Sequence, residues 1–189
     1  MNKKLLKLAT VVALSSGIFG CAAAVVGGAA AGATAGVAVA EDPRSSSGVF
    51  DDQSLRSKVS DAVSATVPGN IEVTSYNARV LLSGQVANAE GKEKAEAMAK
   101  QVPGVKLVYN YLEIGKSQST SQSSKDAYIT SAVKSKLLFT KNVDSNDVKV
   151  VTTNGVVYLL GMVDEYQANK MTQAARQVSD VKRVVPLFQ

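Results

Sequence analysis

The sequence contains no histidine and no tryptophan, and it has a single cysteine among its 189 residues. Histidine and cysteine are the side chains that most often bind zinc or transfer protons near neutral pH, so the commonest metal sites and general bases are excluded. One cysteine cannot form a disulfide bond within the chain. The serines occur without a G-x-S-x-G elbow, the usual setting of a serine nucleophile. We therefore expect no enzymatic activity, no metal and no cofactor.

The one cysteine, Cys21, ends a segment that resembles a bacterial lipoprotein signal. Lysines near the N-terminus are followed by the short apolar run LATVVALSSGIFG, which is the order of a secretory signal peptide. The tripeptide Ile18-Phe19-Gly20 directly before Cys21 resembles a lipobox, in which the cysteine becomes the lipid-bearing first residue of the mature protein. Residues 1–20 are therefore the predicted signal peptide, and Cys21 is the predicted site of lipidation by fatty acyl chains such as palmitate.

Residues 21–49 form the predicted tether between the lipid anchor and the folded part of the chain. Positions 22–40 carry no charge, and their length alone would suit a membrane-spanning helix, but alanine and glycine are only weakly apolar. A flexible tether is one interpretation. The other is a glycine-zipper segment at the membrane, because Gly28, Gly32 and Gly36 recur at a helical spacing that permits close packing.

Charge is distributed unevenly along the chain. The net charge of +5 includes three lysines of the signal peptide, so the mature chain has eighteen basic and sixteen acidic residues. Residues 50–115 contain seven basic and eight acidic side chains, whereas residues 124–189 contain nine basic and six acidic ones. This asymmetry indicates an anionic partner for the second half.

The chain contains two copies of one unit. The segment ARVLLSGQV at residues 78–86 aligns with GVVYLLGMV at residues 155–163, which places Gly84 opposite Gly161. In each copy an amphipathic helical pattern precedes two β-rich runs joined by a turn, and a second helix and a final strand follow. The predicted order is α-β-β-α-β, twice. For Gly84 and Gly161 we predict a structural role near a strand end, and direct contact with a ligand is the alternative.

A polar segment separates the two copies. The stretch GKSQSTSQSSK from Gly115 to Lys125 has no apolar side chain, so we interpret it as a linker or an exposed loop. The predicted domains are residues 50–115 and residues 125–189, with residues 116–124 as the linker between them.

Two pairs of adjacent carboxylates are the remaining candidates for acid–base chemistry. Asp51–Asp52 and Asp164–Glu165 each stand just ahead of a predicted helix. Acidic side chains are favourable there, because the amino-terminal end of a helix carries a partial positive charge. We therefore predict a structural role for both pairs.

The repeated unit resembles the BON domain. The resemblance rests on the order of elements, on the strand ends LLSGQV and YLLGMV with their glycine, and on the spaced valines that close each copy. With the lipobox, the chain is similar to dual BON-domain outer-membrane lipoproteins of proteobacteria. The resemblance implies an α+β fold in which each domain has a three-stranded mixed sheet and two helices on one face. It also implies a periplasmic protein at the outer membrane that binds anionic phospholipid through its second domain, gathers at division sites and supports envelope integrity.

The first helix of the second copy carries the predicted phospholipid site. At about 100° per residue, Ile129, Val133 and Leu137 form its buried stripe, and two aromatic residues and a leucine remain outside that stripe. Aromatic rings and lysines together suit the headgroup level of an anionic membrane. The first copy has Ser54 and Asp61 in comparable places, and Val133 enters the site through the resemblance. The predicted contact residues are Tyr128, Val133, Lys134, Lys136, Leu138 and Phe139.

Two functions are therefore open. The first is a lipid-binding module of the cell envelope that recognises phosphatidylglycerol or cardiolipin, and nucleic acid is not an expected partner. The second is an adaptor that holds a protein partner near the outer membrane, either by an exposed sheet edge or by the same helix. A third arrangement, in which Tyr128 and Phe139 pack against the first domain, would bury the aromatic part of the helix.

Overall fold

Each half of the chain folds into a mixed β-sheet covered by two helices. The computed structural model describes residues 46–189, so Cys21 and most of the predicted tether lie outside the described residues. The elements follow the predicted order in both copies. They are α1 (Ser46–Ser64), β1 (Gly69–Tyr76), β2 (Arg79–Val86), α2 (Ala89–Gln101), β3 (Leu107–Asn110), β4 (Glu113–Ile114), α3 (Thr120–Leu138), a short 3-10 helix (Ser145–Asp147), β5 (Val148–Thr153), β6 (Val156–Gly161), α4 (Glu165–Arg176) and β7 (Arg183–Phe188).

The two sheets have the same topology. In the first sheet β1 is antiparallel to β2, and β3 and β4 both run parallel to β2. In the second sheet β5 is antiparallel to β6, and β7 is parallel to β6. The predicted α+β class with two tandem α-β-β-α-β units is confirmed. The last strand of the first copy differs in being broken, because the Asn110 side chain accepts the backbone N–H of Leu112 at 3.3 Å and takes that group out of the ladder.

Three apolar cores hold the layers together. The helices α1 and α2 pack on one face of the first sheet, around residues such as Val59 and Leu82. The helices α3 and α4 cover one face of the second sheet in the same way, around Val133 and Leu159. The third core joins the remaining faces of the two sheets and contains Tyr158. The sheets therefore lie back to back, with one pair of helices on each outer side.

A buried aspartate stabilises the β-hairpin turn of the first copy. Asp52 accepts the backbone N–H groups of Asn77 at 2.6 Å and of Ala78 at 2.9 Å, and also the hydroxyl of Ser75 at 2.6 Å. Both turn residues have positive φ, which is a conformation that needs such support. The predicted helix-dipole role of Asp52 was wrong, because α1 begins at Ser46 and Asp52 lies inside it.

The second copy repeats this arrangement with Asp126. Its carboxylate accepts the backbone N–H groups of Asn154 at 2.7 Å and of Gly155 at 2.8 Å. The side-chain amides of Gln118 and Gln122 donate to the same carboxylate at 2.7 and 3.0 Å. Asp52 and Asp126 are therefore equivalent residues, and each binds the first helix of its copy to the hairpin of the same copy.

The polar segment between the copies is partly helical. The helix α3 begins at Thr120, and Ser119 caps it by accepting the N–H of Gln122 at 3.2 Å. Residues 120–124 of the predicted linker are therefore helical and do not form a loop. Polar contacts support this first turn: Ser119 caps it, and Gln122 donates to the buried Asp126. The segment has no apolar residue, so its helical structure was not visible in the hydrophobic pattern.

Gly84 and Gly161 each lie against a backbone carbonyl of the neighbouring strand or turn. Gly84 has φ of +109°, and a Cβ atom there would overlap the carbonyl oxygen of Asn70. A Cβ atom on Gly161 would lie 2.5 Å from the carbonyl oxygen of Asp147, where no real Cβ fits. Both glycines therefore have a steric reason for lacking a side chain.

Candidate functional site

The outer face of α3 exposes three large apolar side chains. Tyr128 is 65% exposed, Leu138 is 64% exposed and Phe139, at the carboxyl-terminal cap, is 81% exposed. At 100° per residue these side chains share the side of the helix opposite the buried stripe, with Tyr128 about 15 Å along the helix axis from the other two. Several large apolar side chains exposed on one side of a helix mark a candidate interaction surface. This row of side chains, Tyr128, Leu138 and Phe139, is hereafter called the apolar row.

Lysines flank the apolar row on both sides. By the same helical geometry, Lys125 and Lys136 lie along one side of the row and Lys134 along the other. All three side chains are exposed. The described part of the chain shows no salt bridge to any of the three. An apolar strip between cations matches a bilayer surface, in which phosphates surround the boundary of the acyl chains.

The structure changes the predicted site at one position. Val133 is fully buried, at 0% exposure, in the core formed with Ile129 and Leu137. It therefore does not belong to the surface that a ligand would meet. The helical period explains the placement, since residues four apart share a face and both of these neighbours are core residues.

The apolar row does not pack against the first domain. The exposure of Tyr128 and Phe139 excludes the arrangement in which both aromatic rings are buried by the other copy. Tyr128 instead forms one wall of an open groove of about 460 Å³ on the second copy, beside Lys125 and Asp180. The groove places a lysine and a phenol next to each other at the surface.

A second exposed aromatic residue lies beside the end of α3. Tyr166, in the first turn of α4, is 56% exposed. The ammonium of Lys170 lies 4.8 Å from the centre of its ring and 3.4 Å from the carbonyl oxygen of Lys141, which follows α3. Hydrogen bonding with Lys170, and secondarily with Asn142, lowers the pKa of the Tyr166 phenol. Tyr166 is not among the contact residues predicted from the sequence, although a tyrosine among the polar residues that open α4 was a visible signal.

The first copy lacks these surface features. If Asp52 is aligned with Asp126, then Tyr128, Leu138 and Phe139 correspond to small residues of α1. The two lysines of the predicted site likewise have no basic counterpart. The first-copy equivalents of Tyr128, Lys134, Lys136, Leu138 and Phe139 are Ser54, Ser60, Ala62, Ser64 and Ala65.

A larger cleft, of about 750 Å³, lies between the two copies and has a different character. Its walls include β1 and β5 and carry Arg56 and Lys149 together with Glu72. Burial raises the pKa of Glu72, and the two cations oppose that rise. Because charges of both signs line this cleft, it does not favour an anionic ligand as the surface of α3 does.

The described residues offer no other reactive cluster. Between residues 46 and 189 no group of three or more acidic or cysteine side chains is placed to bind a metal ion. No helix in that range combines the length and the apolar character that a bilayer crossing requires. The expected absence of enzymatic activity remains a prediction, and so does the lipidation of Cys21.

Comparison with known proteins gives consistent matches. The BON domain model matches residues 51–116 and again residues 125–189. Outer membrane lipoprotein DolP of Haemophilus influenzae is 42% identical over 186 residues, which cover 96% of this chain and 94% of that protein. The 21 kDa hemolysin of Actinobacillus pleuropneumoniae is 36% identical over 78% of each chain. Osmotically-inducible protein Y of Escherichia coli is 36% identical over 71% of this chain and 70% of its own.

Proposed function

Because the chain belongs to the BON-domain family and contains two such domains, we propose that it is an outer-membrane lipoprotein whose second domain binds anionic phospholipid. The outer-membrane assignment is supported by the similarity to DolP of H. influenzae, which extends over nearly the whole chain. The lipid-binding assignment is supported by one observation above all, the exposed apolar row of α3 between its lysines.

The chemistry of this surface suits phosphatidylglycerol or cardiolipin. Each lysine near an anionic leaflet contributes about 1 kcal/mol of binding free energy, so Lys125, Lys134 and Lys136 together contribute about 3 kcal/mol. Insertion of aromatic and leucine side chains adds a hydrophobic contribution of about 25 cal/mol per Å² of apolar surface removed from water. Neither contribution alone gives tight binding, and both are needed for selectivity and residence at the membrane.

Lipidation of Cys21 would allow a moderate affinity of α3 for phospholipid to keep the second domain at the membrane. An acylated N-terminus keeps the second domain close to the outer membrane, so binding by α3 becomes an intramolecular event at high effective concentration. One acyl chain anchors a protein only reversibly, and we therefore propose that Cys21 carries more than one. Mass spectrometry of the mature protein tests this point, and an unmodified Cys21 at the N-terminus would contradict it.

A periplasmic position, accumulation at division sites and support of envelope integrity belong to the same proposal. Their support is the family resemblance, and lipid selectivity supplies a physical route. A domain that prefers anionic headgroups accumulates wherever these lipids are enriched, without needing a protein receptor.

A protein-interaction adaptor is the second candidate. One observation favours it, since Leu107 in β3 and Ile114 in β4 are large, exposed and located on the open edge of the first sheet. Open strand edges recruit extended peptides through main-chain hydrogen bonds. This surface is distant in sequence from α3, so the two candidates depend on different residues.

Vesicle binding distinguishes the two candidates. The mature chain carrying Cys21→Ser, which cannot be lipidated, is mixed with vesicles of phosphatidylglycerol or of phosphatidylcholine and separated by flotation. We expect the protein to float with the anionic vesicles only, and to float less as salt shortens the Debye length. Equal binding to both lipids, or no binding to either, would reject the lipid proposal and favour the adaptor.

A further inference from the structure

The exposed aromatic surface of the second copy continues from α3 onto α4. Tyr166 lies in the first turn of α4, and the Lys170 ammonium reaches both its ring and the carbonyl oxygen of Lys141. The same short loop contains Asn142, which contributes after Lys170 to lowering the pKa of the Tyr166 phenol. The amino-terminal end of α4 is therefore held against the carboxyl-terminal end of α3, next to Phe139.

Alignment of the second helices of the two copies shows that the first copy has no aromatic residue at the position of Tyr166. Their N-caps, Asn88 and Asp164, align, and the fully buried Ala95 then corresponds to Met171. In this alignment the counterpart of Tyr166 is the acidic Glu90 of the first copy. The counterpart of Lys170 is Lys94, which is also basic but has no tyrosine beside it. The second copy therefore has an aromatic ring where the first copy has an acid, and the second copy is also the one whose first helix carries exposed aromatic residues.

The charge at this position also suits an anionic surface. The Lys170 ammonium contacts the backbone of Lys141, so two lysines from two neighbouring elements lie close together at this position. The neighbouring Asp164 opposes this charge, but one of its carboxylate oxygens is engaged as the cap of α4 by the N–H of Gln167 at 2.8 Å. A tyrosine ring with its hydroxyl at the surface is the side chain favoured at the headgroup level of a membrane.

We propose that the membrane-facing surface spans both helices, with Tyr166 as a second interfacial anchor and Lys170 as a further contact to the phosphate of an anionic phospholipid. This inference rests on the proposed lipid binding and adds to it. Contact through two helix ends fixes the inclination of the second domain at the bilayer. A single helix would leave the domain free to roll about the axis of α3.

The absence of tryptophan from the chain allows a direct test. Tyr166→Trp, in the mature chain with Cys21→Ser, introduces the only tryptophan. Its fluorescence is measured with phosphatidylglycerol vesicles that carry bromine on their acyl chains, because bromine quenches only an indole close to it. Tyr128→Trp serves as the α3 reporter, and Glu90→Trp is the matched control at the equivalent position of the first copy. We expect quenching of the Tyr166 and Tyr128 reporters and none of the Glu90 reporter.

A binding measurement complements the fluorescence. The double variant Tyr166→Ser with Lys170→Glu should reduce the partition coefficient on phosphatidylglycerol vesicles by more than about tenfold, because one attractive charge becomes repulsive and an interfacial ring is lost. The control pair Glu90→Ser with Lys94→Glu should leave the partition coefficient nearly unchanged. Circular dichroism confirms that each variant is folded before it is compared.

The outcomes distinguish the proposed two-helix surface from the proposed lipid binding on which it rests. If the unmodified surface fails to bind phosphatidylglycerol, the lipid proposal itself is rejected. If the Tyr128 reporter is quenched while the Tyr166 reporter is not, and the double variant binds like its parent, α3 binds lipid alone and the two-helix surface is overturned. Quenching of the Tyr166 reporter supports the inference even if the double variant is too unstable to measure.

Discussion

The first helices of the two copies have the same buried face and different outer faces. The buried residues are apolar and equivalent in both, and each helix contributes one aspartate to its hairpin turn. At the positions equivalent to the exposed residues of the predicted site, the first copy carries only serines and alanines, whereas the second carries aromatic residues, leucine and lysines. The buried positions aligned in this way are Leu55, Val59 and Val63 of α1, and Ile129, Val133 and Leu137 of α3.

The comparison distinguishes positions that folding constrains, which are the same in both copies, from exposed positions that folding leaves free to differ. A core residue touches many neighbours and tolerates little change, so both copies keep it apolar. A substitution at an exposed position usually changes the free energy of unfolding little. Several large apolar residues at such positions are therefore better explained by contact with a partner than by folding. Under our proposal the second copy carries the binding surface, and the first copy packs against the second through the core between the two sheets.

The largest expected effect is a loss of lipid binding on charge reversal in α3. Lys134→Glu with Lys136→Glu removes two attractive charges and adds two repulsive ones. At about 1 kcal/mol per charge this costs about 4 kcal/mol, or roughly a thousandfold in affinity. The measurement is flotation with phosphatidylglycerol vesicles.

The control for charge reversal uses the first copy. Lys58→Glu with Lys94→Glu makes the same change in net charge at exposed positions of α1 and α2. We expect it to reduce binding only slightly, through the weaker long-range field. Equal losses in the two variants would mean that total charge governs binding, and the assignment to α3 would be abandoned.

The next effect is a loss of folding stability on substitution of Gly84 or Gly161. We expect the loss to be larger in the first copy than in the second. Gly84→Val forces a branched residue into positive φ and into the carbonyl of Asn70, so we expect a loss of about 4 kcal/mol. Gly161→Val meets the carbonyl of Asp147 without the penalty from positive φ, and a loss of about 2–3 kcal/mol is expected. Urea unfolding measures both. A Gly161 variant that unfolds like the parent but no longer binds lipid would indicate ligand contact instead.

The common pattern of the two copies was predictable from the sequence because it is periodic. Apolar residues spaced for helices and strands predicted the order of the five elements in each copy, and the structure has this order. The start of α3 was not predictable from periodicity, because residues 120–124 bury nothing and are held by polar bonds to Asp126. Asp126 is itself held by long-range hydrogen bonds to the hairpin turn at Asn154 and Gly155, and such bonds leave no local pattern in the sequence.

The candidate site was predictable only in part. The helical period placed Tyr128 and Phe139 outside the core, whereas the assignment of Val133 came from resemblance and conflicted with that same period. Tyr166 lies on another helix, and only the tertiary contact between Lys170 and the end of α3 brings it to this surface. A single sequence does not reveal contacts between elements, so this half of the surface depended on the structure.

A smaller effect should follow removal of the hairpin aspartates. Asp126→Ala and Asp52→Ala each leave two backbone N–H groups of a turn without their acceptor, which costs about 2 kcal/mol or more. The Asp126 variant should also weaken the start of α3, since Gln118 and Gln122 lose their acceptor. Hydrogen exchange at residues 120–125 checks this, and Asp61→Ala, at an exposed position of α1, is the control. Unchanged stability in both copies would show that water replaces the carboxylates.

The smallest effect distinguishes the aromatic contribution from the electrostatic one. Tyr128→Ser copies the residue that the first copy has at the equivalent position, Ser54, and it leaves every lysine of α3 in place. An interfacial ring contributes about 1 kcal/mol, so we expect about fivefold weaker binding to phosphatidylglycerol vesicles and an unchanged melting temperature, because Tyr128 is outside the core. The reciprocal change, Ser54→Tyr, should add no affinity, since α1 offers no flanking lysines at the corresponding places. If Ser54→Tyr strengthened binding as much as Tyr128→Ser weakened it, any exposed ring on this protein would bind lipid, and the contrast between the two copies would have no functional meaning.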